Sequence, residues 1–362
     1  MKILHVSTPK TWRGGEQQLA YLCTELQKKG MEQMVVCRKG GQLADFCKAQ
    51  NIAFKALSQN SGIDISFAYR LAKAAKKFKA DIVHAHDAHA HTFSVMAARF
   101  FGLRQDIVLH RRVDYPVKNK KSSIYKYNFP QIKKIICVSA EVKRILDQKL
   151  KDTSKSTIVY SGVDLNKFEE KSQMLRQEFK IPFEKVLIGN VAAITQQKDY
   201  FTFVDTAEKV LQQTDKAHFI IIGSGDQEEE IKTLVHTKKL DAHFTFTGFR
   251  QDIPKVLPAL DILLFPSEKE GLGTTVIDAF AAQVPVVASN AGGIKELIEH
   301  QKTGFMADVR DSETLAAYCL QLINNPTQRG AIAQNAFQRA QLFSKENMAE
   351  GVLNVYREVL KT

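Results

Sequence analysis

FPSEKEGLGTTVIDAFAAQVPVVAS, residues 265–289, is the most informative stretch of the chain. An apolar run ends at Ser267, a loop with Gly271 and Gly273 follows, and the pattern predicts a helix from about Thr274. VPVVAS then reads as a second buried strand. Strand, glycine loop, helix and strand form one unit of a parallel α/β sheet. Glycines in such a loop let backbone approach a ligand closely. The N–H groups of Gly273, Thr274 and Thr275, left unpaired at a helix start, would point at an anion. Glu270 stands in the loop and Asp278 one turn inside the helix. A carboxylate beside a diol accepts from both hydroxyls, which is a common way to hold a sugar. Alone, Glu270 reads as a solvated loop acid and Asp278 as a charge facing the helix dipole; the whole stretch favours the ligand reading.

The same alternation extends in both directions. KILHVS, QMVVC, DIVHAH, DIVLH and KKIICVS in the first half are separated by amphipathic segments such as EQQLAYLCTELQKKG and SFAYRLAKAAKKFKA. VLIGNVAAI, HFIIIGSG, FTFTGF, DILLFPS and VPVVAS repeat the pattern in the second. A chain of 362 residues exceeds what one core usually organises, so two βα domains in tandem are expected, 1–165 and 166–344. The boundary falls in SGVDLNKFEEKSQ, residues 161–173. The last segment, 345–362, reads as a helix that packs back on the first domain. Ser344 or Asn347 caps it, and Val352, Val355, Tyr356 and Leu360 share a face. A ligand of such domains would sit at the carboxyl ends of the strands.

With 44% hydrophobic and 25% charged residues, the composition excludes disorder, collagen-like repeats and a disulfide scaffold. No apolar run has the roughly 18 residues of a membrane span, and MKILHVST is too short for a secretory leader; a cytoplasmic location is expected. Cys23, Cys37, Cys47, Cys137 and Cys319 form no metal or redox pair and read as packed thiols. Residues 1–170 hold 30 basic and 15 acidic residues, and 171–362 hold 21 and 24. The basic excess lies wholly in the first half. It implies an anionic substrate, an anionic lipid surface or nucleic acid; the last finds no recognition helix, zinc finger or RNA-binding aromatic signature.

Other stretches carry candidate chemistry. In WRGGEQQ, Gly14 and Gly15 stand at a turn after the first strand, before a helix start suited to a diphosphate or to acceptor groups. HAHDAHAH, residues 84–91, puts His84 and His86 on one strand face, with His89 and His91 in a turn or helix. It is not expected to bind metal, and His86 reads as a strand-end site residue. In IVLHRRVDYP the group that meets an acceptor is left open among His110, Arg112 and Asp114. Between 118 and 134, Lys118, Lys120, Lys121, Lys126, Lys133 and Lys134 interleave with Tyr125, Tyr127 and Phe129. That mixture suits the interface of an anionic bilayer, against the plainer reading of a solvated loop.

EGLG, Asp278 and VPVVAS together resemble the nucleotide-binding core of GT-B glycosyltransferases of family four (group 1 glycosyltransferases). RGGEQQLAYLCTELQKKG, CVSAEV, YSGVDLNKF, IIGSGDQEEEIKTL, TFTGFRQDIPKVL and GGIKELIEHQKTGF resemble further family segments in the same order. The resemblance implies two Rossmann-like domains facing a central cleft, with nucleotide-sugar bound by the second and acceptor by the first. It implies a retaining, metal-independent transferase using no cofactor. Glu270 would hold hydroxyls of the transferred sugar, and Asp278, where the family has glutamate, the ribose. The backbone around Gly271, Leu272, Gly273, Thr274 and Thr275 would line the donor. Gly248 and Phe249 would border the base, with Arg250 and Gly225 in reach. GNVAAITQQKDY matches the phosphate loop: Lys198 fits its lysine, and Ala193 stands where an arginine is usual, so either another residue such as Arg13 or Arg112 would supply the missing charge or the backbone amides would carry more of the load. The resulting expectation is transfer of a sugar to a glycan or lipid-linked acceptor in cell-envelope polysaccharide or lipopolysaccharide synthesis. Lys198, Glu270, His86 and Asp114 are the expected catalytic set. The alternatives are a nucleotide-sugar epimerase and a non-catalytic sugar-nucleotide-binding protein.

Overall fold

The computed structural model describes residues 1–168 and 173–361. The chain divides into one unit of Met1–Val163 with Ser344–Thr362 and another of Asp164–Phe343. Part of the expected boundary, residues 169–172, and residue 362 at the end of the expected helix 345–362 lie outside the described residues.

The first unit holds seven strands: β1 (Lys2–Ser7), β2 (Glu32–Arg38), β3 (Ala53–Leu57), β4 (Ile82–Ala85), β5 (Asp106–Arg111), β6 (Ile132–Cys137) and β7 (Ser156–Ile158). They form one parallel sheet in the order β3-β2-β1-β4-β5-β6-β7. The second holds β8 (Val186–Val191), β9 (Ala217–Ile222), β10 (Phe244–Gly248), β11 (Ile262–Phe265), β12 (Val286–Ser289) and β13 (Phe305–Ala307). Their order is β10-β9-β8-β11-β12-β13, again parallel. The central strands are largely buried because helices cover both faces. In each sheet the order reverses once, between β1 and β4 and between β8 and β11. The loops leaving the two strands there diverge and open a crevice at their carboxyl ends.

The helix Lys345–Lys361 belongs to the first unit. Ser344 Oγ accepts from Asn347 N at 3.1 Å and so caps it. Met348, Val352, Val355, Tyr356 and Val359 are buried with Ile3, Leu22, Leu26 and Ile82. Leu360, expected on that face, is exposed; Val359 holds the last position of the stripe instead. The Tyr356 hydroxyl and His84 Nδ1 lie 2.6 Å apart in the core. Gln18 clamps Gly162, accepting from its N–H at 2.9 Å and donating to its carbonyl at 2.7 Å. Val163 pairs with Ser344, so the two segments that lead out of this unit are tied together.

Candidate functional site

In the second unit, the loops after β8 and β11 carry the decisive side chains. The 3-10 turn Gln196–Lys198 ends at Lys198. Its ammonium makes an ion pair with Glu270 from the loop after β11. It also lies 4.9 Å from the centre of the buried Phe265 ring. Lys198 is only 23% exposed, because the switch point brings its loop against Glu270.

Glu270 is anchored through its backbone. Gly293 N donates to its carbonyl at 3.0 Å. At Gly292, with φ +52°, a Cβ would fall 1.9 Å from the same oxygen, so only glycine lets the chain after β12 pass there. Gly292 was not among the expected site residues; the paired glycines before IKEL were its only signal. Gly273, at φ +93°, caps the helix Thr274–Ala281 in the left-handed region, where glycine is unstrained. Thr274 and Thr275 open that helix, Leu272 is buried beneath the turn, and Gly271 lies between Glu270 and Leu272.

Asp278 faces Lys167, whose ammonium is 2.8 Å from Oδ1. Burial pushes the Asp278 carboxyl above the usual range, and Lys167 opposes that shift. Lys167 precedes Phe168 in YSGVDLNKF and lies 4.8 Å from its ring centre. It was missed because only the surrounding motif, not the lysine, drew attention.

Gly248 ends β10 at φ +67°, and Phe249 is 72% exposed. Arg250, expected within reach of the base pocket, is ion-paired within the protein. It binds Asp252 in a fork at 2.8 and 2.7 Å and Glu178 at 2.6 Å, two carboxylates on one guanidinium. Ala193 is exposed in the loop after β8.

In the first unit, His84 and His86 share a face, their ring centres 3.9 Å apart. His89 and His91 lie in the helix Ala88–Phe101. His86 N bonds the Val6 carbonyl at 2.9 Å, which seats it at the β1–β4 switch point. Arg112 donates to the His86 carbonyl at 3.0 Å and lies 3.3 Å from its Nδ1. His86 Nε2 is 3.0 Å from His5 Nδ1. An arginine donor at Nδ1 leaves the ring proton on Nε2, which then donates to His5. His5, His84 and His86 carry nitrogens within 4.8 Å of one another, close enough to share a metal ion. In His86, however, Nδ1 already serves as acceptor, so ligation through Nε2 would require loss of the one ring proton that the neutral imidazole carries.

Burial holds His84, His86 and His110 well below the usual histidine range, with neighbouring histidines and Arg112 adding to it. The same cause brings His5 to about 3 and lowers Arg112 to about 10. Arg112 is thus committed to His86, while Arg13 is exposed at the start of the helix Gly14–Lys28, beside Gly14 and Gly15. Asp114 stands half-buried in the loop after β5. Asp87, not singled out before, accepts from Thr8 N and Oγ1 at 2.7 Å and from His89 N and Ala90 N at 2.9 Å, so it joins the β1 loop to the helix after β4. An aspartate just before a helix is the signal that marks it.

Residues 171–339 match the family model "Glycosyl transferases group 1", and residues 12–167 match "Glycosyltransferase Family 4". The chain belongs to the group 1 glycosyltransferases.

This glycosyltransferase is 24% identical over 333 residues to the UDP-Gal:alpha-D-GlcNAc-diphosphoundecaprenol alpha-1,3-galactosyltransferase of Escherichia coli, covering 87% of this chain and 86% of that one. It is 25% identical to the N,N'-diacetylbacillosaminyl-diphospho-undecaprenol alpha-1,3-N-acetylgalactosaminyltransferase of Campylobacter jejuni, covering 85% of each. Among solved structures, Anabaena Alr3699/HepE in complex with UDP has a TM-score of 0.87 at 20% identity, with 99% of this chain and 100% of that chain covered. These likenesses make the enzyme an α/β protein of the GT-B class with two Rossmann-like domains. No described helix is long and apolar enough to cross a membrane.

Proposed function

We propose that this glycosyltransferase moves a sugar from a UDP-sugar to a lipid-linked saccharide in cell-envelope polysaccharide synthesis, with retention of configuration and without a metal ion. The observation that carries the reading is the Lys198–Glu270 pair at the carboxyl ends of β8 and β11. It sets a cation for a diphosphate beside an acid for sugar hydroxyls. The activities of the Escherichia coli and Campylobacter jejuni relatives support the acceptor class, and the first of them supports the UDP donor.

In this reading the donor diphosphate takes Lys198 from Glu270, and the freed carboxylate accepts from the sugar. Lys198 and the N–H groups of Gly273, Thr274 and Thr275 stabilise the charge that grows on the leaving diphosphate. Asp278 holds the ribose, while Gly248 and Phe249 border the base. The acceptor hydroxyl forms the new bond as the old glycosidic bond breaks, and its proton passes to the donor phosphate. His86, neutral and oriented by Arg112, and Asp114 serve the acceptor. The basic first unit holds the enzyme peripherally on the inner face of an anionic membrane.

A panel of UDP-, GDP- and ADP-sugars, followed for binding and slow donor hydrolysis, tests the reading. Binding and hydrolysis are expected with a UDP-sugar. A preference for GDP- or ADP-sugar overturns the donor assignment, and binding without any hydrolysis or transfer overturns the enzymatic one.

A further inference from the structure

A groove of about 800 Å³ lies in the first unit and reaches the start of the helix that follows β4. Its walls are the helices Ala88–Phe101 and Lys121–Tyr127 and the turn before the helix Ile65–Phe78. Val95, Met96, Ile63, Phe100 and Tyr125 make it apolar. Ile63, Phe100 and Tyr125 are 72%, 69% and 51% exposed, which is costly surface for a soluble face.

Lys126 closes one side. Its ammonium is half-buried and bonds the neutral Thr92 Oγ1 at 2.8 Å. Burial pulls it below the usual lysine range, as expected for a cation without a carboxylate to compensate it. Sequence explains the lack of compensation. Residues 88–105 and 115–140 contain eight lysines and arginines and no acid. The single acid of 61–78, Asp64, is occupied by the N–H groups of Asn60 and Phe67 at 2.9 Å. Arg99 adds a second cation to the lining. A hydrocarbon wall beside uncompensated cations matches a molecule that is apolar along its length and anionic at its head.

We propose that this groove binds the phosphorylated head and adjoining chain of a lipid-linked acceptor, with Lys126 on the phosphate and Ile63, Phe100 and Tyr125 against the chain. The proposal rests on the lipid-linked reading of the acceptor. It adds a site at which the lipid, rather than the sugar, is held.

The probe is farnesyl diphosphate below its micellar concentration, with pyrophosphate and farnesol as half-probes, measured by calorimetry. Farnesyl diphosphate is expected to bind at least about tenfold more tightly than either half-probe, since both the charge and the apolar contact contribute. Lys126→Met and Phe100→Ser are each expected to weaken it about tenfold or more. Lys126→Arg should retain binding, and UDP binding should be unchanged in all three. Circular dichroism checks that the variants are folded. Equal binding by wild type and both weakening variants overturns the proposal. Salt-sensitive binding to phosphatidylglycerol vesicles without binding of farnesyl diphosphate also overturns it, leaving a headgroup patch. If farnesyl diphosphate binds but no UDP-sugar does, the transferase reading fails while the groove stands.

Discussion

Lys167 reaches 2.8 Å from Asp278 Oδ1 and supplies the countercharge of a carboxylate that burial would otherwise drive toward its neutral form. The aspartate is one methylene shorter than the glutamate usual in the resembling family, so its charge lies close to the helix that carries it. The lysine comes to it from the segment that opens the second unit.

Lys167→Met is therefore expected to destabilise the protein by about 1–3 kcal/mol at pH 7, because it leaves a partly buried charge without its partner. The pH dependence follows from the raised folded-state value of Asp278. Without Lys167 that value rises further. The deficit should be nearly absent below about pH 4, where the carboxyl is protonated in both states, and should grow as pH rises through the folded value. Urea denaturation from pH 3.5 to 7.5 measures it; a deficit independent of pH would sink the electrostatic account.

Lys198→Ala should reduce turnover about a hundredfold or more, as loss of leaving-group stabilisation is typically worth about 3–4 kcal/mol. Glu270→Ala should lower kcat more than donor affinity, since it orients the sugar rather than the nucleotide. Asp278→Ala should instead weaken binding of free UDP. Steady-state kinetics together with UDP titration separate the three. Equal loss of UDP affinity in Glu270→Ala and Asp278→Ala would contradict this division.

At the phosphate loop, Ala193→Arg is expected to leave turnover within about twofold, because charge for the diphosphate is supplied elsewhere. Arg13→Ala should weaken UDP binding roughly tenfold, the size of a lost charge-assisted hydrogen bond. Arg112→Ala should mainly cost stability, since its guanidinium is engaged by His86. Higher turnover in Ala193→Arg, with Arg13→Ala unaffected, would show that nothing compensates for the missing arginine.

The first unit should be acid-labile. His5 and His91 titrate at about 3 in the fold, against an ordinary value of 6.5. Below about pH 6.5 the unfolded chain binds protons that the folded one refuses. Stability should be complete above that pH and fall on acidification, by up to about 1.4 kcal/mol per pH unit for each such histidine. Urea midpoints between pH 7.5 and 5 report the slope. His5→Gln is expected to reduce it, and an unchanged slope would show that His5 does not contribute.

Much of this protein was legible without coordinates. Both parallel sheets could be read because their central strands are short runs rich in Val, Ile and Leu, as in KILHVS and DILLFPS. β3 and β13 were not read. AFKAL and FMA are short edge strands, and β3 is largely exposed, so neither carries the continuous burial that marks an inner strand. Local sequence also set the helix start after Gly273, the shared face of His84 and His86, and the absence of acids around Lys126. Each depends only on backbone period or on neighbours in the chain.

Pairings between distant segments needed the tertiary structure. Lys198 meets Glu270 across 72 positions and His84 meets Tyr356 across 272. Arg250 likewise meets Glu178, 72 positions away. A side chain's charge and reach are written in its residue type, but its partner is decided by which loops the strand order brings together. That order reverses at β1/β4 and at β8/β11, a property of the packed sheets that no local stretch of sequence contains.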